Sequence, residues 1–183
     1  MARKFTRRLV IDASAAFRAG DRTCEARRIR DFLLQALTIC HRVVVNKTIL
    51  KEWNCHASPF AHRWLVDMRS RGKEVLARED APESAQLDTA LSAVSPDLEQ
   101  RMREDLHLIR AALTTDCLVV SCDEKARRVF RNAAREIREL RPIAWINPEA
   151  EGAVTWLKHG AKSQPELRLW NPPGQRARSE GEQ

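Results

Sequence analysis

The 183-residue chain contains no tyrosine, and its five cysteines form an odd set without paired spacing. Such a set argues against a disulfide scaffold. With no signal peptide at the start, the expectation is reduced thiols in a cytoplasm. Cys117 and Cys122 flank an apolar run and read as small core residues. Cys55-His56 followed by His62 looks like a fragment of a zinc site, but a second ligand pair is missing. No apolar run is long enough to span a bilayer, so no membrane is expected. Only six glycines are present, and neither a P-loop nor a dinucleotide fingerprint occurs, which weakens a phosphatase or nucleotide-binding reading. Internal repeats and heptads are also missing.

What the chain does have is positive charge and acids at particular places. The formal net charge is +7, with arginine prevailing over lysine. A polyanionic partner fits that balance, and so does an ordinary basic protein. The guanidinium fork matches phosphate oxygens, which leans slightly towards the former.

Short apolar runs alternate with helical periodicities. Leu9-Val-Ile, Val43-Val-Val45, Leu118 to Ser121 and Pro142 to Ile146 read as strands, and Glu74-Val-Leu-Ala as a shorter one. Arg22 to Cys40 reads as a helix on Ile29, Phe32, Leu33, Ala36 and Leu37. Asn46-Lys-Thr48 and Ser58-Pro59 open two more. Asp12-Ala-Ser-Ala reads as a loop. Arg78 to Ser95 is ambiguous between a helix on Leu87, Leu91 and Val94 and a linker at Glu79-Asp80-Ala-Pro. Glu124 to Leu140 reads as one helix, with Arg128, Arg131, Arg135 and Arg138 as a basic stripe on its outer side. Pro148 to Lys158 closes the domain as a helix. The expected architecture is an α/β protein, a three-layer α/β/α sandwich with a mostly parallel central sheet. It spans residues 1–160, followed by a flexible tail over 161–183.

Ser95 to Leu113 reads as a single amphipathic helix on Leu98, Met102, Leu106, Ile109 and Leu113. At about 100° per residue, Asp105 then points within roughly 20° of Leu98 and roughly 40° of Ile109. A carboxylate on a core-facing stripe must be paired, protonated or bound to a cation. Asp12 ends the first strand, and Asp123 follows the fourth. In a parallel sheet, ligands bind at the carboxyl ends of the strands, so these acids are expected to converge on one cleft. Glu52, beside Trp53, sits at the edge of a buried helix face. Taken alone, it reads as a surface glutamate.

Asp12, Glu52, Asp105 and Asp123, in that order and context, resemble the PIN domain family of metal-dependent nucleases, which includes VapC-type toxins. The matching pieces are Val-Ile-Asp-Ala-Ser, Thr-Ile-Leu-Lys-Glu-Trp, and Asp-Leu-His-Leu-Ile-Arg-Ala-Ala-Leu through Val-Val-Ser-Cys-Asp-Glu. The likeness covers roughly Arg8 to Leu157. It implies a Mg2+- or Mn2+-dependent endoribonuclease with those four acids as its catalytic set. Asp12, Asp105 and Asp123 are the implied metal ligands, and Ser14 and Ser121 match small polar positions beside them. Glu104 and Glu124 stand next to Asp105 and Asp123, so the ligand within each pair stays open. RNA is the implied partner, gripped by Arg128, Arg131, Arg135 and Arg138. An antitoxin protein is implied if the chain is the toxin of a type II pair. The 78–95 insert and the long tail exceed a minimal toxin of this kind. The alternative is a catalytically inactive PIN-fold module that binds RNA or protein. Apolar helix faces around Trp53 and Trp64 suggest a homodimer.

Overall fold

The computed structural model describes residues 6–78 and 81–171. Five strands form one sheet: β1 (Arg8–Ile11), β2 (Arg42–Val45), β3 (Glu74–Leu76), β4 (Leu118–Val120) and β5 (Ala144–Ile146). All neighbours are parallel, in the order β3-β2-β1-β4-β5. The three middle strands are runs of Val, Ile and Leu buried along almost their whole length. A sheet covered on both faces demands such runs. The helices that cover it make the molecule an α/β/α sandwich, as expected. None of them is long and apolar enough to cross a membrane among the described residues.

Between β1 and β2 lie α1 (Ala13–Arg18) and α2 (Cys24–Thr38). The α1 segment was expected to be a loop. Ala13, Ala15, Ala16 and Ala19 are all buried, and a run of small, strong helix formers turns helical as soon as it packs. Gly20 ends this turn against the next helices, where a Cβ would meet the Ser58 Cβ at 2.7 Å. Two helices then join β2 to β3, α3 (Lys47–His56) and α4 (Pro59–Ser70), capped by Asn46 and Ser58 as expected. Trp53 and Trp64, 1% and 2% exposed, stack obliquely at 5.9 Å. Their indole N–H groups donate to the carbonyls of Ile11 and Leu33. Both rings are thus packed inside the subunit.

The 78–95 insert contains a helix, α5 (Pro82–Leu91), with Leu87 and Leu91 buried. Glu79 and Asp80 of the suggested linker lie outside the described residues. The expected single helix over Ser95 to Leu113 is two: α6 (Pro96–Met102) and α7 (Leu106–Leu113). The two pack on different partners. The α7 helix lies against β1, β2 and β4, whereas α6 docks on α8 (Glu124–Ala133). One straight rod cannot reach both, and the chain bends at an Asp, a residue that favours helix starts over interiors.

The α8 helix is also shorter than expected, so the arginine stripe is not continuous. Arg128 and Arg131 lie on α8, Arg135 follows in a turn, and Arg138 opens a short 3-10 turn ending at Leu140. The stop has a visible cause. The Arg141 guanidinium donates to the carbonyls of Ala134 and Arg135 at 3.1 and 3.0 Å, taking acceptors that a longer helix would need. Trp170 stacks on that guanidinium, 5.2 Å from ring centre to Cζ. The last helix, α9 (Ala153–Lys158), starts later than Pro148. Beyond it, Leu169 is buried and its N–H donates to the Ile143 carbonyl at 2.8 Å. The segment from 161 to 171 thus packs on β5 rather than hanging free; the remainder of the expected tail lies outside the described residues.

Candidate functional site

The chain runs from β1 outward through β2 to β3, then returns to the other side of β1 with β4 and β5. The reversal falls between β1 and β4, the place where parallel α/β sheets open a crevice at their carboxyl edge. Ile11 pairs with Val120 in register, so the next residues out of the sheet, Asp12 and Ser121, stand side by side. Register alone makes this juxtaposition.

Asp12 is 7% exposed and Ser121 is fully buried. The Asp12 N–H continues the ladder to the Val120 carbonyl at 2.9 Å. Its side chain does not cap α1; it is turned into the crevice. There, Oδ2 accepts from the Ser121 hydroxyl at 2.7 Å and from the Ser14 hydroxyl. The two hydroxyls are themselves 3.2 Å apart. Ser14 Oγ accepts from the Cys122 N–H at 3.1 Å, and Ser121 Oγ from the Asp123 N–H at 2.9 Å. Two serines therefore tie the β1 and β4 loops together and direct one oxygen of Asp12, leaving Oδ1 without a hydrogen bond among the described residues. Asp123 is the N-cap of α8, its Oδ1 accepting from Lys125 and Ala126 N–H at 2.8 Å each. Glu124, by contrast, is exposed and reaches Asn147 and Arg127 on the outside.

Asp105 does not occupy the middle of a helix, as the periodicity implied. It sits in the N-cap position of α7, half-buried, and makes no capping hydrogen bond with its side chain. Burial pushes its carboxyl up to about 7, and the charges of Asp12, Asp123, Glu52 and Glu104 push the same way. The other three predicted acids thus all lie close enough to act on Asp105. Glu104 is exposed and contributes last among them. Glu52 on α3 is half-buried and also held above the usual range by burial, against the pull of His107.

His107 is the site residue that sequence reasoning passed over. Its Nε2 lies 3.0 Å from Glu52 Oε2, and its Nδ1 is 3.0 Å from the Glu104 carbonyl oxygen. That carbonyl can only accept, so Nδ1 carries a proton. His107 thereby fixes Glu52 in place. Nothing local in the sequence links positions 55 residues apart.

The buried thiol of Cys122 is pushed up to about 12, mainly by burial, which makes it inert packing. Cys55 and His56 are exposed on α3 while His62 lies on α4, and no zinc-like set forms there.

All the oxygens gathered here are hard donors suited to a divalent cation. No Lys or Arg among the described residues forms an ion pair with Asp12, Asp105 or Asp123. The charge and donor type of the site fit such an ion. The spacing is open, however: no three His, Cys, Asp or Glu side chains among the described residues are already arranged to hold one. No protein-family model, curated protein or solved structure matches the chain.

Proposed function

We propose that the chain is a Mg2+- or Mn2+-dependent endoribonuclease of the PIN type, working in a reducing cytoplasm. The observation that supports this best is the field at Asp105. Burial, reinforced by the charges of Asp12, Asp123, Glu52 and Glu104, raises that carboxyl to about 7, and no Lys or Arg among the described residues pairs with Asp12, Asp105 or Asp123. A protein that only needed a stable crevice gains nothing from such repulsion.

In this reading Asp12, Asp105 and Asp123 hold the ion. When bound, the ion polarises a phosphate oxygen and lowers the pKa of a coordinated water. The protein's own groups have distinct tasks. Ser14 and Ser121 fix Asp12 Oδ2, so that Oδ1 faces the cleft. The α8 backbone fixes Asp123 Oδ1 and leaves Oδ2 as the outward oxygen. With its carboxyl raised to about 7, Asp105 is partly protonated near neutral pH and would be fully ionised when holding a cation. Glu52, steadied by His107, stands ready to accept a proton at the cleft wall. By the same resemblance, the chain would be the toxin of a toxin–antitoxin pair.

The open spacing of the acids favours one second reading, an RNA- or protein-binding module of the same fold without cleavage. Incubating single-stranded RNA with the protein in Mg2+, Mn2+ or EDTA separates the two. The nuclease reading expects cleavage in metal only, and its loss in Asp12→Asn at a melting temperature no lower than that of wild type. An Asp12→Asn preparation that cleaves normally refutes the site.

A further inference from the structure

The α1 helix buries its alanines and leaves one large apolar side chain outside: Phe17 is 57% exposed. A single exposed apolar side chain is ordinary on a protein surface, but this one is set in a hollow. Ala13, Ser14 and Phe17 share one face of α1, since Phe17 lies four residues past Ala13 and three past Ser14. Together with His56, the last residue of α3, they line a cavity of about 280 Å³. The hollow meets the candidate site at two points. The Ser14 hydroxyl holds Asp12, and His56 stands near enough to Glu52 for its charge to act on that carboxyl. Whatever fills the hollow lies alongside the acids.

The walls narrow the choice of occupant. The Ala13 and Phe17 side chains offer only carbon. The Ser14 hydroxyl is already committed, donating to Asp12 and accepting from the Cys122 N–H at 3.1 Å. No Lys or Arg among the described residues lines the hollow, so it does not suit a phosphate. Its volume of about 280 Å³ falls just below the roughly 300–1,000 Å³ of sites for drug-sized molecules, which suits one planar ring system. A protein partner needs a broader patch, about 800 Å² on each side. The other large apolar side chains exposed among the described residues are Leu34, Val66 and Leu76, and none of them lines this hollow. An unstacked nucleobase fits better, because its broad face is held by aromatic side chains without any hydrogen bond.

We propose that Phe17 is a base-stacking residue, seating one nucleobase of a single-stranded RNA against its ring while the adjoining phosphate lies beside Asp12. The inference rests on the nuclease reading for its substrate. It adds to that reading how the strand is held at the acids, by the face of a base as well as by its charge, and it is tested by binding alone.

Stacking and charge are separable, because only stacking needs a base. Binding of a short single-stranded RNA, and of an abasic ribose–phosphate strand of the same length, is measured by anisotropy in EDTA over a range of salt. Phe17→Ala is expected to raise the RNA Kd about tenfold, the order that losing one stacked base gives. The salt slope should stay as it was, since no phosphate contact is lost, and affinity for the abasic strand should not change. Phe17→Leu keeps an apolar side chain without the ring and is expected to resemble Phe17→Ala, whereas Phe17→Trp is expected to bind RNA at least as tightly as wild type. Because the side chain is mostly exposed, all three should melt with wild type. Equal weakening on both strands overturns the proposal, as does wild-type RNA affinity in Phe17→Ala or Phe17→Leu. If the expected pattern appears yet RNA is never cut in metal, the nuclease reading fails and the stacking site stands. If RNA is cut in metal while the Phe17 variants bind it normally, the nuclease reading stands and the stacking site fails. If the wild-type chain binds no RNA, both fall.

Discussion

Replacing Asp105 by Asn should make the protein more stable, and only at neutral to alkaline pH. The carboxyl is raised from 3.8 to about 7, so the folded chain holds this proton more tightly than the unfolded chain does. Stability linked to that proton is complete below about pH 4 and is lost as pH rises through about 7. At 1.36 kcal/mol per pH unit, the full difference is about 4 kcal/mol. Asp105 is only half-buried, and solvent screening reduces this to ~1–3 kcal/mol. Asn carries no charge and is as good an N-cap as Asp, and the Asp105 side chain makes no capping bond to lose. At ~2–4 °C per kcal/mol for a chain of this size, Asp105→Asn should melt about 2–12 °C above wild type at pH 8 in EDTA. The gap should close towards pH 4. Saturating Mg2+ should raise wild type, because an ion that binds only the native state adds stability by mass action, and should raise the variant less. Thermal melts at three pH values with and without Mg2+ measure all of this. An equal or lower melting point at pH 8, or a gain that does not depend on pH, would show that the Asp105 carboxyl is not buried beside the other acids.

Ser121→Ala removes a donor to Asp12 and an acceptor for the Asp123 N–H from a fully buried position. It should cost about 1–3 kcal/mol, read as a lowered denaturant midpoint, and should reduce metal-dependent cleavage; an unchanged midpoint would mean that water replaces the hydroxyl without loss. For the exposed arginines past the site, Arg128 and Arg131 share one helix face while Arg135 and Arg138 do not continue it. The pair Arg128→Ala, Arg131→Ala should therefore flatten the salt dependence of RNA binding more than Arg135→Ala, Arg138→Ala. Equal slopes from the two pairs would refute that distinction.

The strands were legible in the sequence because a central parallel strand needs side chains that fit apolar surroundings on both faces, and Leu9-Val-Ile and Val43-Val-Val45 have nothing else to be. Asn46 and Ser58 announced their helices for an equally local reason: a side-chain oxygen satisfies a backbone N–H three residues on. The acids at Asp12 and Asp123 were visible as the places where apolar runs stop, and Ser14 and Ser121 as polar residues beside them. Local pattern could not say that Ile11 pairs with Val120, yet that register is what sets Ser121 against Asp12. It could not say that Ser95 to Leu113 bends at Asp105, because the bend answers to two surfaces, α8 and the sheet, that the segment meets only after folding. Nor could it join His107 to Glu52. Periodicity records which face of an element is apolar. Which element that face meets, and which polar groups are thereby brought together, is decided by the packing of distant segments, and only the tertiary structure contains it.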